Sequence, residues 1–355
     1  MEKVERLRRH AARNWVSALM LLALLAAGAV SVAVTSSDAP HRKHGARAAA
    51  PAAASDPKLR AALAAALTTG VDAANRIGGQ ASAGIWLEGW PQPITAPASR
   101  YARLWSLAKP VAAIAAYQAW EARRGAPTGA IVTAAEDAIT RSDNCGERYL
   151  VLELNALTGG SDAGRRAFEG VLSRAGVRVD SHAVPEHAGE ARECARYLAR
   201  RAPIADPIAS GWQFGIDEWN VLQAVSFAHA LGARRYGRAG EAVLDIMSRL
   251  KQPELASLEG PTGNHLVDLQ WGAGDAFGLG QSAYKAGWGG SGQHDFVAAQ
   301  IVVLPHASPP VALAAIFRPT NQPSNDDLGA TRAPEALRAL FGRVAHELRR
   351  QHVMQ

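Results

Sequence analysis

Cysteine and lysine are scarce in this chain. The few cysteines limit the possible anchors and disulfides, and the few lysines limit the possible catalytic amines. The two cysteines are Cys145 and Cys194, so the N-terminal region has no thiol that would carry a lipid anchor. In an exported domain the two can form one disulfide, and two buried free thiols are the alternative. The lysines number six, whereas arginines are frequent. Because a buried lysine can shuttle a proton and an arginine cannot, a lysine in a candidate site carries extra weight.

Signals for nucleic-acid, metal and nucleotide binding are also missing. The net charge is +6, but no basic stripe with interleaved aromatic residues runs through the body of the chain, which argues against a nucleic-acid partner. His182 and His187 match no metal-ligand spacing, so we expect a surface loop there, with no metal and no other cofactor. Gly289–Gly292 lacks the lysine and the strand–loop–helix setting of a phosphate loop and indicates a hairpin turn. An apolar fraction of 48% against 20% charged residues predicts a folded core.

The N-terminus carries a targeting pattern. Basic side chains within residues 1–14 precede an uncharged run from Trp15 to Val34, which as a helix is long enough to cross a hydrocarbon layer of about 30 Å. The basic flank predicts a cytoplasmic N-terminus and export of the rest. A cleaved signal peptide, which would give a secreted protein, is the alternative. Residues 35–55 predict a flexible linker rich in Ala and Pro, and residues 56–355 a folded domain, so we expect a single-pass cell-membrane protein with an extracytoplasmic domain.

Hydrophobic periodicity predicts an α+β fold, an α/β sandwich. An antiparallel sheet should hold helices from both ends of the chain, with an all-helical region inserted. Asp56 and Pro57 mark a helix start, and Pro334 should lie in the first turn of the closing helix. The predicted elements are a helix over Leu59–Ala74, strands over Ala83–Glu88 and Ile94–Ala98, a helix over Ser106–Arg124, further helices to Leu250, strands over Ser282–Trp288, Asp295–Leu304 and Val311–Arg318, and a helix over Pro334–Gln351.

The first chemical motif is Ser106-Leu107-Ala108-Lys109. Pro110 fits only near a helix N-terminus, so Ser106 should begin the helix, with Lys109 on the same face one turn later. A neutral lysine there can accept the serine proton, and free backbone N–H groups at a helix start favour a developing oxyanion. A helix cap followed by an ordinary surface lysine is the simpler interpretation of this motif alone.

The second motif is Ser142-Asp143-Asn144. A hydroxyl held in a turn can relay a proton to a leaving group, and the Asn144 amide can contact both Lys109 and a substrate carbonyl. Taken alone, the three residues are more typical of a helix cap, because Ser, Asp and Asn are all cap residues.

The third motif is Lys285-Ala286-Gly287-Trp288, on a predicted edge strand. The Lys285 cation can hold a substrate carboxylate, Gly287 lets a ligand backbone approach, and the Trp288 N–H can donate to an oxyanion. A strand that ends in a glycine turn is the simpler alternative.

Together, in this order and on these elements, the three motifs resemble the S-x-x-K, S-D-N and K-T-G set of serine β-lactamases and penicillin-binding proteins. The resemblance covers roughly residues 56–355 and includes the order of helices and strands. It implies a β-lactam or a D-Ala-D-Ala peptide of peptidoglycan as partner. The implied roles are nucleophile (Ser106), base partner (Lys109), proton relay (Ser142), substrate contacts (Asn144, Lys285, Gly287) and oxyanion hole (backbone N–H groups of Ser106 and Trp288).

Two features depart from that family. Ala286 stands where the family has threonine or serine, which removes one hydroxyl that commonly contacts substrate. The E-x-x-L-N loop, whose glutamate activates the deacylating water in class A β-lactamases, is also missing. Glu153 lies in the nearest string but follows Ser142 too closely, and Glu186 and Glu190 lack the motif. The sequence therefore names no deacylation base and predicts slow turnover.

Two functions from different classes fit these observations. The first is an exported serine hydrolase or acyltransferase that forms an acyl-enzyme on Ser106. The second is a binding or sensing domain at the cell envelope that keeps the fold while acylation is weak or lost. The intact pairs Ser106/Lys109 and Ser142/Asn144 favour the enzyme, and Ala286 and the missing glutamate favour the binding domain.

Overall fold

The structure covers most of the predicted folded domain. The computed structural model describes residues 56–97, 102–103, 105–177, 194, 197–198, 218–249, 271–278, 280–289, 296–320 and 328–355, all within a compact unit that spans Ala50–Gln355. The predicted segment Trp15–Val34 and the linker lie outside these residues, so both stay predictions. Within the described ranges, no helix combines the length and the apolar character that crossing a bilayer requires.

A five-stranded antiparallel sheet is the centre of the fold. The strands are β1 (Gly79–Leu87), β2 (Ile94–Ala96), β5 (Ala283–Gly289), β6 (Val297–Leu304) and β7 (Val311–Pro319), and a separate pair is formed by β3 (Ala102–Arg103) and β4 (Glu218–Trp219). Their order in the sheet is β2-β1-β7-β6-β5, which leaves β5 at one edge. Every residue of β6 is buried, because both faces of this strand are covered.

Helices cover both faces of the sheet and follow the predicted order. They are α1 (Pro57–Arg76), α2 (Ala108–Arg124), α3 (Ala130–Thr140), α4 (Asn144–Thr158), α5 (Ser161–Arg174), α6 (Val221–Gly232), α7 (Gly237–Ser248), α8 (Trp271–Phe277) and α9 (Leu328–Arg350). The Asp56 carboxylate caps α1 by accepting a hydrogen bond from the Lys58 N–H at 2.8 Å, as the Asp-Pro pair predicts.

Two hydrophobic clusters divide the interior. Side chains of α1, α8 and α9, including Leu63 and Phe341, fill one cluster against the sheet. Side chains of α2–α7, including Val111, form the other cluster against sheet residues such as Ile301 of β6. The α1 and α9 helices approach so closely that a Cβ added at Gly70 would lie 2.9 Å from the Leu340 carbonyl oxygen. This arrangement, a sheet with terminal helices and a helical insert, confirms the predicted fold class.

Two element starts differ from the prediction. Ser106 lies in a 3₁₀ turn, Trp105–Leu107, and the α-helix begins only at Ala108. Pro110 is then the third residue of α2. A backbone N–H at this position has no partner within the helix, so the missing N–H of proline removes no helical hydrogen bond. The closing helix begins at Leu328, so Pro334 lies in its second turn rather than its first. A proline removes one helical hydrogen bond, and burial of the adjoining apolar side chains of α9 offsets that loss.

Candidate active site

Ser106 lies where three parts of the fold meet. Its 3₁₀ turn follows β3 and runs directly into α2, and the turn packs against the edge strand β5. Leu107 and Ala108 are buried while Ser106 is partly exposed. The turn thus presents the Ser106 hydroxyl beside the sheet edge and the free N–H groups of the α2 start.

Ser142 occupies a strained turn between α3 and α4. Its φ is 54°, in the left-handed region that a residue with a Cβ seldom adopts. Asp143 is the N-cap of α4, and its carboxylate accepts from the N–H groups of Cys145 at 2.7 Å and Gly146 at 3.3 Å. The cap interpretation is therefore correct for Asp143, and this cap fixes the turn that directs Ser142 and Asn144 towards Lys109.

The Ser142 hydroxyl is the centre of the site. Its Oγ lies 3.0 Å from Ser106 Oγ, 3.1 Å from Lys285 Nζ and 3.4 Å from Lys109 Nζ. The three motifs of the sequence thus meet at one oxygen atom. A hydroxyl can donate and accept at once, so Ser142 connects Ser106 to both lysines.

Lys109 is fully buried and is surrounded by oxygen atoms. Its Nζ donates to the Ser142 carbonyl oxygen at 2.5 Å and to Asn144 Oδ1 at 2.7 Å, and Glu147 Oε2 lies 3.7 Å away. Among the described residues, no hydrogen bond joins Lys109 Nζ directly to Ser106 Oγ. The link between this lysine and the serine passes through the Ser142 hydroxyl.

Lys285 reaches the site from the sheet edge. It too is fully buried, and its Nζ donates to the Ala286 carbonyl oxygen at 2.7 Å in addition to its contact with Ser142. Side chains alternate along β5, so the Ala286 methyl group lies in the cluster with α1 and α9, behind the sheet.

Burial perturbs both lysines. Removal from water lowers the pKa of Lys109, and the negative charges of Glu147 and Asp143 oppose that shift. Burial and, after it, the charge of Lys109 lower the pKa of Lys285 well below its ordinary value, against a smaller opposing effect of Glu147. Both amines flank the same hydroxyl, and two positive charges would repel each other in this buried site. The arrangement therefore favours one neutral amine, which a general base requires.

Gly287 and Trp288 follow Lys285 on β5, opposite Ala299 and Ala298 of β6. The Trp288 ring packs on Phe296, with ring centroids 5.6 Å apart. As an edge strand, β5 directs alternate backbone N–H and C=O groups away from β6, towards the side where Ser106 lies. The substrate contact of Gly287 and the oxyanion hole formed by the N–H groups of Ser106 and Trp288 stay predictions.

Glu147 is a further residue of the site, and the sequence alone did not point to it. It lies one helical turn after Asn144 on α4, so both side chains face Lys109. The spacing Asn144-x-x-Glu147 at a helix start could have indicated that the two side chains share a face. The cap-type residues Ser142, Asp143 and Asn144 made this segment look like a simple helix cap. Glu153 lies deeper in α4, where it accepts from the Tyr149 hydroxyl at 3.2 Å. Glu186, Glu190, His182 and His187 lie outside the described residues.

A disulfide anchors the start of α4. Cys145 and Cys194 are bonded, which settles the alternative left open by the sequence. Nearby, the Tyr197 hydroxyl donates to Asp137 Oδ2 at 2.7 Å, so Tyr197 is also tied to α3. Because Cys145 directly follows Asn144, the disulfide holds the backbone that carries the Ser142 and Asn144 side chains. In the part of the chain that the structure describes, no group of three His, Cys, Asp or Glu residues could hold a metal ion.

Solved β-lactamase structures share this fold. A β-lactamase from Streptosporangium roseum matches with a TM-score of 0.50 at 15% identity, over 80% of this chain and 100% of its own. A β-lactamase from Desulfarculus baarsii matches with a TM-score of 0.50 at 15% identity, over 81% of this chain and 98% of its own. No family model matches the sequence, and no curated protein is significantly similar to it. The chain therefore has a β-lactamase-like fold, as the three motifs predicted.

Proposed function

We propose that the chain is an exported serine hydrolase or acyltransferase that forms an acyl-enzyme on Ser106. The observation that carries this proposal is the position of Ser142 Oγ, 3.0 Å from Ser106 Oγ and within 3.4 Å of two buried lysine amines. A serine becomes a nucleophile when a base takes its proton, and a hydroxyl bridge to a buried amine provides that path.

The proposed acylation uses this geometry. Ser106 Oγ attacks a carbonyl carbon while its proton passes to the Ser142 hydroxyl and on to a lysine amine. N–H groups at the α2 start and on the edge strand β5 stabilise the oxyanion. When the C–N bond breaks, Ser142 returns a proton to the leaving nitrogen.

The substrate class is a strained or peptide-like amide with a carboxylate, namely a β-lactam or a D-Ala-D-Ala peptide of the cell wall. Support comes from the fold shared with the two β-lactamases and from the place of Lys285 at the sheet edge, next to Gly287. Glycine has no side chain, so a ligand backbone can lie against β5 at this point. The Ala286 side chain lies behind the sheet and brings no hydroxyl to the site, so Lys285 is the main group for the substrate carboxylate.

The proposed location is the outer side of the cell membrane. The uncharged run Trp15–Val34 and the basic residues before it support this topology. A reporter that works only in the cytoplasm, fused after Gln355, should be inactive. An active reporter would show that the domain is not exported.

Covalent labelling tests the proposed activity. The full chain, purified in detergent, is incubated with a fluorescent penicillin, denatured and separated on a gel. A fluorescent band that excess unlabelled penicillin prevents is the expected result. If no covalent band forms while the probe still binds reversibly, the chain is a binding domain with this fold and not an acyl-transfer enzyme.

A further inference from the structure

We propose that Lys285 is the neutral amine of the resting site and takes the Ser106 proton through the Ser142 hydroxyl, whereas Lys109 is a fixed ammonium ion. This inference rests on the proposed acylation of Ser106. It divides two functions between two lysines that both contact the same hydroxyl. Lys285 is then the general base, and Lys109 is a positioning residue that holds Ser142 and Asn144.

The surroundings of Lys109 suit an ammonium ion. An ammonium group has three donors and no lone pair. The Lys109 Nζ donates to the Ser142 carbonyl at 2.5 Å and to Asn144 Oδ1 at 2.7 Å, and it lies 3.7 Å from the Glu147 carboxylate. The backbone carbonyl, the amide oxygen and an ionised carboxylate accept hydrogen bonds and have no proton to give. The Ser142 hydroxyl, which can give a proton, lies 3.4 Å from Lys109 Nζ and 3.1 Å from Lys285 Nζ, so it is the more distant neighbour of Lys109. A neutral Lys109 would turn its lone pair towards the nearer acceptor oxygens, so the site favours the charged form.

The surroundings of Lys285 suit a neutral amine. A neutral amine has two N–H groups and one lone pair. The Ala286 carbonyl oxygen, 2.7 Å away, takes one N–H, and the Ser142 hydroxyl, 3.1 Å away, can donate its proton to the lone pair. The structure gives Lys109 a nearby carboxylate, and Lys285 is fully buried beside the Lys109 charge. Burial and the neighbouring Lys109 charge lower the pKa of Lys285, which agrees with this assignment.

The proton balance closes without a co-reactant. As Ser106 Oγ bonds to the carbonyl carbon, its proton moves to Ser142 Oγ and the Ser142 proton moves to Lys285 Nζ. When the C–N bond breaks, the leaving nitrogen takes a proton from Ser142, and Lys285 returns its proton to Ser142. The products are a Ser106 ester and a free N–H, and both lysines regain their starting states.

This assignment links activation to substrate binding. A substrate carboxylate beside Lys285 favours the charged form of that amine. The arrival of the carboxylate therefore draws the proton from Ser106 through Ser142, so the nucleophile is activated when substrate is bound. A resting site without substrate keeps Ser106 protonated.

Titration of the lysines tests the assignment without relying on activity. The chain has six lysines, so lysine labelled isotopically at its ε-carbon gives a simple NMR spectrum of the full chain in detergent. The signals of Lys109 and Lys285 are identified from single Lys→Arg variants. Among the described residues, the charged groups that act on these two lysines are Glu147, Asp143 and the lysines themselves. We expect Lys285 to be neutral at pH 7 and to lose its proton at lower pH than Lys109. A Lys109 that becomes neutral first would overturn the proposal.

Kinetics of the Arg variants give a second test. Lys285→Arg keeps a cation for the substrate carboxylate but cannot accept a proton, so the rate of covalent penicillin labelling should fall by roughly 10²-fold or more. Lys58→Arg, at an exposed position of α1, is the matched control and should label at the wild-type rate. Labelling of Lys285→Arg at the wild-type rate would overturn the proposal. If this variant does not fold, the wild-type titration decides. An unlabelled wild type would refute the proposed function, while the NMR titration would still report which lysine is neutral.

Discussion

The most informative single side chain is Ser142, because its hydroxyl is the contact between Ser106 and both lysines. Ser142→Ala removes that oxygen and with it the path by which Ser106 loses its proton. General acid–base assistance contributes typically about 10²–10⁴-fold in rate. The expected loss in the acylation rate is therefore of that size, or about 3–5 kcal/mol in the activation free energy.

A matched pair of variants separates chemistry from backbone strain. Ser142 has a φ of 54°, and a left-handed residue with a Cβ costs roughly 1–2 kcal/mol. Glycine avoids this cost, although it adds about 0.4–1 kcal/mol of chain entropy to the unfolded state. Ser142→Gly should thus be more stable than Ser142→Ala by about 1 kcal/mol, or some 2 °C in melting temperature, while both lose acylation equally.

The assay is the second-order rate of adduct formation, followed by quenching and intact-protein mass spectrometry. Thermal melts of the same samples give the stability difference. Ser226→Ala is the control, since that hydroxyl donates to the Leu222 carbonyl within α6. Wild-type acylation in Ser142→Ala would refute the relay. A rate restored in Ser142→Gly would show that strain, and not the hydroxyl, controls the reaction.

Two further predictions concern turnover and the disulfide. The Glu153 carboxylate is hydrogen-bonded to Tyr149 and the sequence has no E-x-x-L-N loop, so the covalent adduct should persist for minutes or longer. Rapid multiple-turnover hydrolysis of nitrocefin without an accumulating adduct would reveal a base that this account lacks. Glu147 would then be the first position to mutate. The disulfide spans a sequence separation of 49, for which loop entropy predicts up to about 4 kcal/mol of stability. Cys194→Ser should therefore lower the free energy of unfolding in urea and slow acylation by loosening the start of α4, and an unchanged midpoint and rate would contradict both effects.

The sequence predicted the sheet, the terminal helices and the three motifs, because each rests on local periodicity or on residue types at fixed spacing. The Ser106–Lys109 spacing also placed the lysine one turn from the serine. The expected contact of the Asn144 amide with Lys109 is present at 2.7 Å. The spacing did not reveal that the Nζ also donates to the Ser142 carbonyl oxygen, which lies far away in sequence and meets Lys109 only through the packing of α2 against α4.

Tertiary contacts also explain what the sequence did not resolve around Glu147 and Ser142. A glutamate near a helix start is common, and only the position of the buried Lys109 amine 3.7 Å away makes this one part of a site. Likewise, a left-handed serine has no sequence signature of its own. Its conformation follows from the Asp143 cap together with the bond from the Asp143 N–H to the Asp137 carbonyl at 3.1 Å.

Acylation of Ser106 is the central claim, and the mass of the intact protein tests it most directly. The full chain is incubated with benzylpenicillin, quenched in acid and weighed, and the modified peptide is then located by proteolysis and fragmentation. The account predicts a mass increase of one penicillin molecule, carried on Ser106 and absent from Ser106→Ala. An adduct of equal yield in Ser106→Ala, or one located on another residue, would contradict it.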